Sequence, residues 1–233
     1  MKILYATSEA LPFIASGGLA DVAGSLPAAL NRAGEDCRVV LPLYQGIKEE
    51  LRQSLEYICN FTVDVSWRKQ YCGVFKGEAG GVTYYFIDNE YYFKRASLYG
   101  YFDDAERFAF FSRAVLELIS HVGFKPDILH CNDWQTALVS VYYNLYYNHW
   151  AGFENIRTVF TIHNIAYQGK YGYEILEDLL GIAIMTAPCF NRRSHEGRDC
   201  FELEGDDGQP DVCRGDYGPL VLPWVDKLLA KPL

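Results

Sequence analysis

A short apolar run, a pair of adjacent glycines and a stretch of helical periodicity, in that order, constrain the start of this chain more than any other feature. Ile3, Leu4, Tyr5 and Ala6 read as a brief buried strand. Gly17 and Gly18 let the backbone turn and come close to a ligand with no Cβ in the way. From there Leu19, Val22, Ala23, Leu26 and Leu30 recur at helical spacing, which predicts a helix whose N-terminus carries the two glycines. The free N–H groups and the positive dipole end of such a helix favour an anion, and phosphate is the one that strand–turn–helix units commonly hold. The same pair also suits an ordinary tight turn before a helix, and both readings stay open.

Composition limits what can surround this unit. Half of the 233 residues are hydrophobic, enough to bury a sizeable core. A net charge of −9 lacks the basic footprint of a nucleic-acid partner. Seven cysteines without a CxxC pair suit reduced thiols better than a disulfide framework or a zinc site, so no metal is expected. The apolar run after Lys2 is too short for a secretory signal, and no segment approaches membrane-spanning length. The expectation is a cytoplasmic protein with no membrane partner.

Along the chain the pattern repeats. Cys37 to Leu41 predicts a second strand ended by Pro42, completing a βαβ start. Tyr57 to Val65, Tyr71 to Lys76 and Val82 to Asp88 read as shorter strands or hairpins at a sheet edge, with Gly73, Gly77, Gly80 and Gly81 as separators. Asp88 to Phe102 reads as a loop. A helix follows from Asp103 to His121, with Asp103 as its N-cap and Phe108, Phe111, Val115, Leu118 and Ile119 on one face. Ile128 to Cys131 is then a strand, and a helix is expected from about Gln135 to Tyr147. Between them Asp133 either caps that helix or lines a site at the C-terminal sheet edge, where open α/β folds bind ligands. Arg157 to Ile162 repeats the arrangement, with His163 and Asn164 at its end before Tyr167, Gln168 and Gly169. A lone histidine is more often structural than catalytic. Its place at the same edge as Asp133 and the glycine turn favours function.

Six segments together carry a resemblance: SEALPF and ASGGLADVAGSLPAAL within Ser8 to Leu30, RVVLPLY from Arg38, FIDN from Phe86, LYGYFDDAERFAFF from Leu98, PDILHCNDWQTAL from Pro126, and TVFTIHNIAYQGKY from Thr158. Over Met1 to about Ile182 the chain resembles the N-terminal domain of bacterial glycogen synthases and plant starch synthases, the family 5 retaining glycosyltransferases. The resemblance implies a Rossmann-like α/β parallel sheet forming one half of a GT-B enzyme. It implies ADP-glucose as donor, an α-1,4-glucan as acceptor and no cofactor. Carried over by position, it places Gly17, Gly18 and Leu19 at the donor's diphosphate with Asp21 close by. It puts Asp133 and His163 at the glucosyl site as catalytic residues, Tyr99 at the edge, and Asn164 and Gln168 among the substrate contacts. One position departs: the family usually has Lys where this chain has Ala15, which bears on donor affinity and on the choice between ADP-glucose and UDP-glucose.

From Ala183 to Leu233 the resemblance ends. This stretch holds five of the nine prolines, three of the seven cysteines and almost no apolar periodicity, so it reads as a disordered tail. Its codons suggest a sharper origin. Back-translated and read one base later, EGDDGQPDV at Glu204 to Val212 can encode Lys-Val-Thr-Thr-Val-Ser-Pro-Thr-Tyr, the family's own segment at the start of its second domain. HEGRD at His195 to Asp199 can encode Met-Lys-Gly-Ala-Ile, found shortly upstream in the family. The same shift across Met185 and Thr186 would give a stop, so the slip lies later or there is more than one. The expectation is a domain over 1–182 followed by a largely out-of-frame tail over 183–233, truncated and inactive alone. A nucleotide-sugar or glucan-binding module, or half of a split enzyme, is the alternative. A NAD-dependent dehydrogenase fits poorly, because the first turn is long and the second strand ends in Pro42 rather than an acidic residue.

Overall fold

The computed structural model describes residues 1–172, 174–182, 193–195 and 198–200. In chain order the elements are β1 (Lys2–Ala6), α1 (Gly18–Arg32), β2 (Asp36–Pro42), α2 (Glu49–Gln53), β3 (Glu56–Val65), β4 (Arg68–Ala79), β5 (Val82–Asp88), α3 (Glu90–Phe93), α4 (Asp104–His121), β6 (Ile128–Asn132), α5 (Trp134–Tyr142), β7 (Arg157–Thr161) and α6 (Ile175–Asp178). Seven strands form one sheet in the order β3-β4-β5-β2-β1-β6-β7. The five from β5 to β7 run parallel, with Ala6 of β1 opposite Val40 of β2 on one side and Cys131 of β6 on the other. The β3–β4 hairpin adds antiparallel to the β5 edge. This is the Rossmann-like arrangement expected from the sequence. The expected disorder of 183–233 lies outside the described residues, apart from an antiparallel ribbon of Arg193–His195 and Arg198–Cys200.

Central strands read as continuous apolar runs because helices cover a parallel sheet on both sides. Tyr5, Ala6, Val39, Val40, Leu41 and Phe86 are all fully buried. Helix α4 is buried well beyond the single stripe expected. Phe108 through Ser112 are consecutive and all buried, so the whole circumference of the helix is covered there. Strand β3 and helix α5 both pack against it.

Four local expectations need correction. Gly73 and Gly77 lie inside β4 instead of separating strands. A Cβ on Gly77 would meet Leu55 Cδ2 at 2.6 Å and Phe86 Cε2 at 3.4 Å, so this glycine sits under packed side chains inside the strand and not at a turn. The stretch after Asp88 contains helix α3, whose first turn is capped by Asn89 accepting from Tyr92 N at 3.1 Å. Asp103 stands at the cap position of α4 but makes no side-chain cap bond, because both its oxygens are taken by the Arg95 guanidinium at 2.6 Å. The helix expected to reach Tyr147 ends at Tyr142 and continues as one π-turn, Tyr143–Tyr147.

Arg107 on α4 fixes the loop that leads to the site. It is fully buried, donates to Tyr92 O at 2.8 Å and Leu98 O at 3.1 Å, and pairs with Asp104. The other oxygen of Asp104 accepts from Gly100 N at 2.7 Å and Tyr101 N at 3.2 Å. The pair therefore holds both sides of Tyr99. Removing one partner of a buried ion pair leaves an uncompensated charge. Arg107→Leu should lower the unfolding free energy by about 3 kcal/mol in urea denaturation. Adding Asp104→Asn should recover part of that loss; no recovery would mean that lost packing, not the stranded carboxylate, dominates.

Candidate functional site

Chain order reverses between β1 and β6, and in open α/β sheets a crevice forms outside the strand ends at such a point. A cavity of about 890 Å³ opens there. One wall is Ser16 to Leu19 and Val22, and another comes from Asp133 to Gln135, His163, Asn164 and Ala166 to Lys170. Gly17, Gly18, Leu19, Tyr99, Asp133, His163, Asn164 and Gln168, all expected from the sequence, line it together. Asp21 does not. It is exposed in the first turn of α1 and is not among the lining residues.

The glycine wall is open by construction. Gly17 is extended at the N-cap and no side chain caps α1, so the helix start that Gly17, Gly18 and Leu19 bring to the cavity has no capping side-chain acceptor. A Cβ added to Gly17 or Gly18 would meet nothing within 4 Å. The protein's own packing therefore does not demand glycine at either position, whereas the close approach of a ligand would. Gly169 contrasts with them: its φ is +60° and a Cβ would strike the Trp134 ring, so both conformation and packing require glycine.

Asp133 occupies a strained conformation, φ 57° and ψ 177°, in a region that residues with a Cβ rarely visit. Its N–H donates to Thr161 O at 2.9 Å, and its Oδ1 accepts from His163 N at 2.7 Å. The carboxylate does not cap α5; it ties the end of β6 to the loop after β7. His163 is held from the other side. Asn132 is fully buried and donates to Ala6 O at 3.0 Å and His130 O at 3.2 Å, which fixes its amide so that Oδ1 is the acceptor. The His163 Nε2–H donates to that Oδ1 at 2.9 Å, leaving Nδ1 as the ring's free acceptor in the neutral form.

Three carboxylates line the cavity, but each already has donors. Asp133 has the His163 N–H, Asp104 has Arg107 and two backbone N–H groups, and Glu9 accepts from Ser16 N and from Ser16 Oγ at 3.1 Å. Lys170 is the one lysine or arginine among the lining residues. With one carboxylate paired to a guanidinium and the other two engaged by neutral donors, the lysine and the uncapped helix start are the groups free to receive an anion. Tyr99 donates to or accepts from Ser8 Oγ at 2.7 Å, and burial holds its hydroxyl protonated well above the ordinary tyrosine range. Glu9, Ser16, Asp104, Gln135 and Lys170 were not singled out from the sequence. The motifs marked strand ends, and these five reach the cavity from neighbouring loops and helix starts.

Beneath the site His130 packs edge-on against Tyr5, with ring centroids 4.7 Å apart, and its Nε2 meets Thr161 Oγ1 at 2.8 Å. Burial, with His163 nearby, pushes its pKa down to about 4. Because the folded pKa lies below the unfolded value near 6.5, the unfolded state binds the extra proton between the two values. The stabilisation is full above pH 6.5 and is lost as pH falls toward 4, by on the order of 3 kcal/mol. Urea denaturation across that window should show the loss in the wild type, and a shallower slope in His130→Gln.

The family described as the starch synthase catalytic domain matches residues 2–202. The chain belongs to that family. A glycogen synthase of Clostridium novyi is 55% identical over 183 residues, covering 78% of this chain and 38% of that protein. One from Geobacillus stearothermophilus is 52% identical over 182 residues, with the same coverage. The catalytic domain of starch synthase IV from Arabidopsis thaliana, bound to ADP and acarbose, superposes with a TM-score of 0.72 at 33% identity, covering 78% of this chain and 37% of that one. The chain thus spans 38% of the length of the curated relatives it matches.

Proposed function

We propose that this chain is the part of a glycogen synthase that receives the phosphates and the transferred sugar of ADP-glucose, in glucosyl transfer to the non-reducing end of an α-1,4-glucan with retained configuration. The observation that carries the reading is the convergence, on one cavity, of an uncapped helix start with two open glycines and the Asp133–His163–Asn132 network. The relative bound to ADP and acarbose supports a nucleotide and a glucan-like sugar as ligands. In this reading the backbone N–H groups of Gly18 and Leu19 and the dipole of α1 take up charge developing on the departing phosphate. Asp133 and His163 face the glucosyl unit in an oxocarbenium-like transition state. Tyr99 bounds its edge, and Asn164 and Gln168 contact the substrate.

A cytoplasmic location suits the free thiols Cys37, Cys59, Cys72 and Cys131. Among the described residues no helix is long and apolar enough to cross a membrane. For 183–233 the proposal is an out-of-frame translation. Resequencing the gene from codon 176 decides it. Codons that read the Val-Thr-Thr-Val-Ser-Pro segment one base later support the proposal, a one-base correction making it a sequence error, and codons that do not read that segment in the shifted frame refute it.

The site roles are tested in a full-length glycogen synthase from Geobacillus stearothermophilus. Alanine at the residues matching Asp133 and His163 should each lower turnover by at least about a hundredfold, the scale of losing one transition-state contact. Near-normal turnover in both would leave these residues structural.

A further inference from the structure

The β3–β4 hairpin, at the far end of the sheet from the cavity's β6–β7 wall, carries a second constellation. Successive side chains on a strand point to opposite faces. Phe61 shares a face with the buried Val63 and Val65 and stacks on His121 of α4, so that face is turned toward α4. The register of β3, β4 and β5 then puts Tyr57, Asn60, Tyr71, Phe75 and Asp88 together on the opposite face. Toward the middle of the sheet this face is covered: Phe13 packs edge-on against Tyr84 and Phe86, and Leu55 lies over Gly77. Beyond that the cover stops. Tyr57 and Tyr71 are 49% and 51% exposed, and none of the five residues lines the cavity.

Asp88 makes this face more than a scatter of surface rings. Its carboxylate is partly buried, and among the described residues neither a hydrogen-bond donor nor an ion-pair partner meets it. Burial, then the charge of Glu90, raises its pKa against the pull of Arg52 and Lys94. A Cβ on Gly73 would lie 2.8 Å from the Tyr71 hydroxyl and 3.3 Å from Asp88 Oδ2, so hydroxyl and carboxylate flank one bare stretch of backbone. The Asn60 amide donates to the Tyr57 hydroxyl beside them. A ligand that fits has an apolar face for the rings, hydroxyls to donate to the carboxylate, and no negative charge to oppose Asp88 and Glu90. A pyranose meets all three conditions, with C–H bonds on its faces and hydroxyls around its rim. The Tyr57 and Phe75 rings stand 5.4 Å apart at 71°, an angled surface and not a flat platform. A chain of α-1,4-linked rings turns at each linkage, whereas a β-1,4 chain is a flat ribbon, so the angle suits the former. Resting on the glycogen synthase reading above, we propose that this face of the hairpin is a second carbohydrate site, where a segment of the α-1,4-glucan stacks on Tyr71 and donates a hydroxyl to Asp88. Two sites on one polymer raise the effective concentration of its chain ends at the cavity.

NMR titration of the isotope-labelled 233-residue chain tests this, with maltoheptaose, cellohexaose and ADP-glucose as separate probes. Maltoheptaose should move the amide signals of Asn60, Tyr71 and Gly73. Tyr71→Thr, which keeps strand preference, and Asp88→Ala should each weaken maltoheptaose binding at the hairpin at least about fivefold, the scale of one lost aromatic or polar contact. The affinity for ADP-glucose should stay level in both. If Tyr71→Thr lowers the thermal midpoint, Asp88→Ala alone decides. Maltoheptaose shifts confined to the cavity residues, or unchanged affinity in either variant, overturn the inference. Equal affinity for cellohexaose overturns it too, because the site would not select the α-1,4 chain. A wild type that binds maltoheptaose at the hairpin but not ADP-glucose upholds this site and refutes the sugar-nucleotide reading of the cavity, and one that binds ADP-glucose alone does the reverse.

Discussion

Asn132 has no access to solvent, so its amide must find every partner inside the protein. It donates to the last carbonyl of β1 and to its own strand, and accepts from the imidazole at the end of β7. One side chain thereby links the ends of three parallel strands where the strand order reverses. The rest of the site follows from that link. With His163 held by its ring and by its backbone N–H on Asp133, the loop after β7 cannot move away without breaking two part-buried hydrogen bonds, one of them to the fully buried Asn132.

A cavity with three acidic residues and one lysine is an unlikely place for a diphosphate if formal charges alone are counted. Geometry changes the sum. Each carboxylate is already engaged by N–H groups, by a hydroxyl or by a buried guanidinium, while the first turn of α1 has no side-chain acceptor at all. The acidic groups act as internal braces, while the helix start beside the cavity keeps no side-chain cap. The same economy places Tyr99, whose loop is held on both sides by Asp104 and Arg107.

Much of this was legible in the chain. The run from Ile3 to Ala6, the glycine pair and the spacing from Leu19 to Leu30 appear as β1, its turn and α1. Asp133 and His163 stand at strand ends as expected, because a parallel strand followed by a helix has only one place to put the residue between them. Less was legible where long-range contacts decide. Nothing local says that Asp103 will give its carboxylate to Arg95, that α4 is covered all round, or that Gly77 lies under Leu55.

Apolar periodicity, glycine position and turn chemistry determined the strand–turn–helix units, the class of sheet and the edge on which chemistry would gather, since these depend on residues near one another in sequence. Only the tertiary structure decided which donors engage the cavity's carboxylates, why Asp133 does not cap its helix, and that Asp21 lies outside the cavity. Those outcomes depend on which donors and acceptors the folded chain brings within about 3 Å of each other, and local sequence carries no record of that distance.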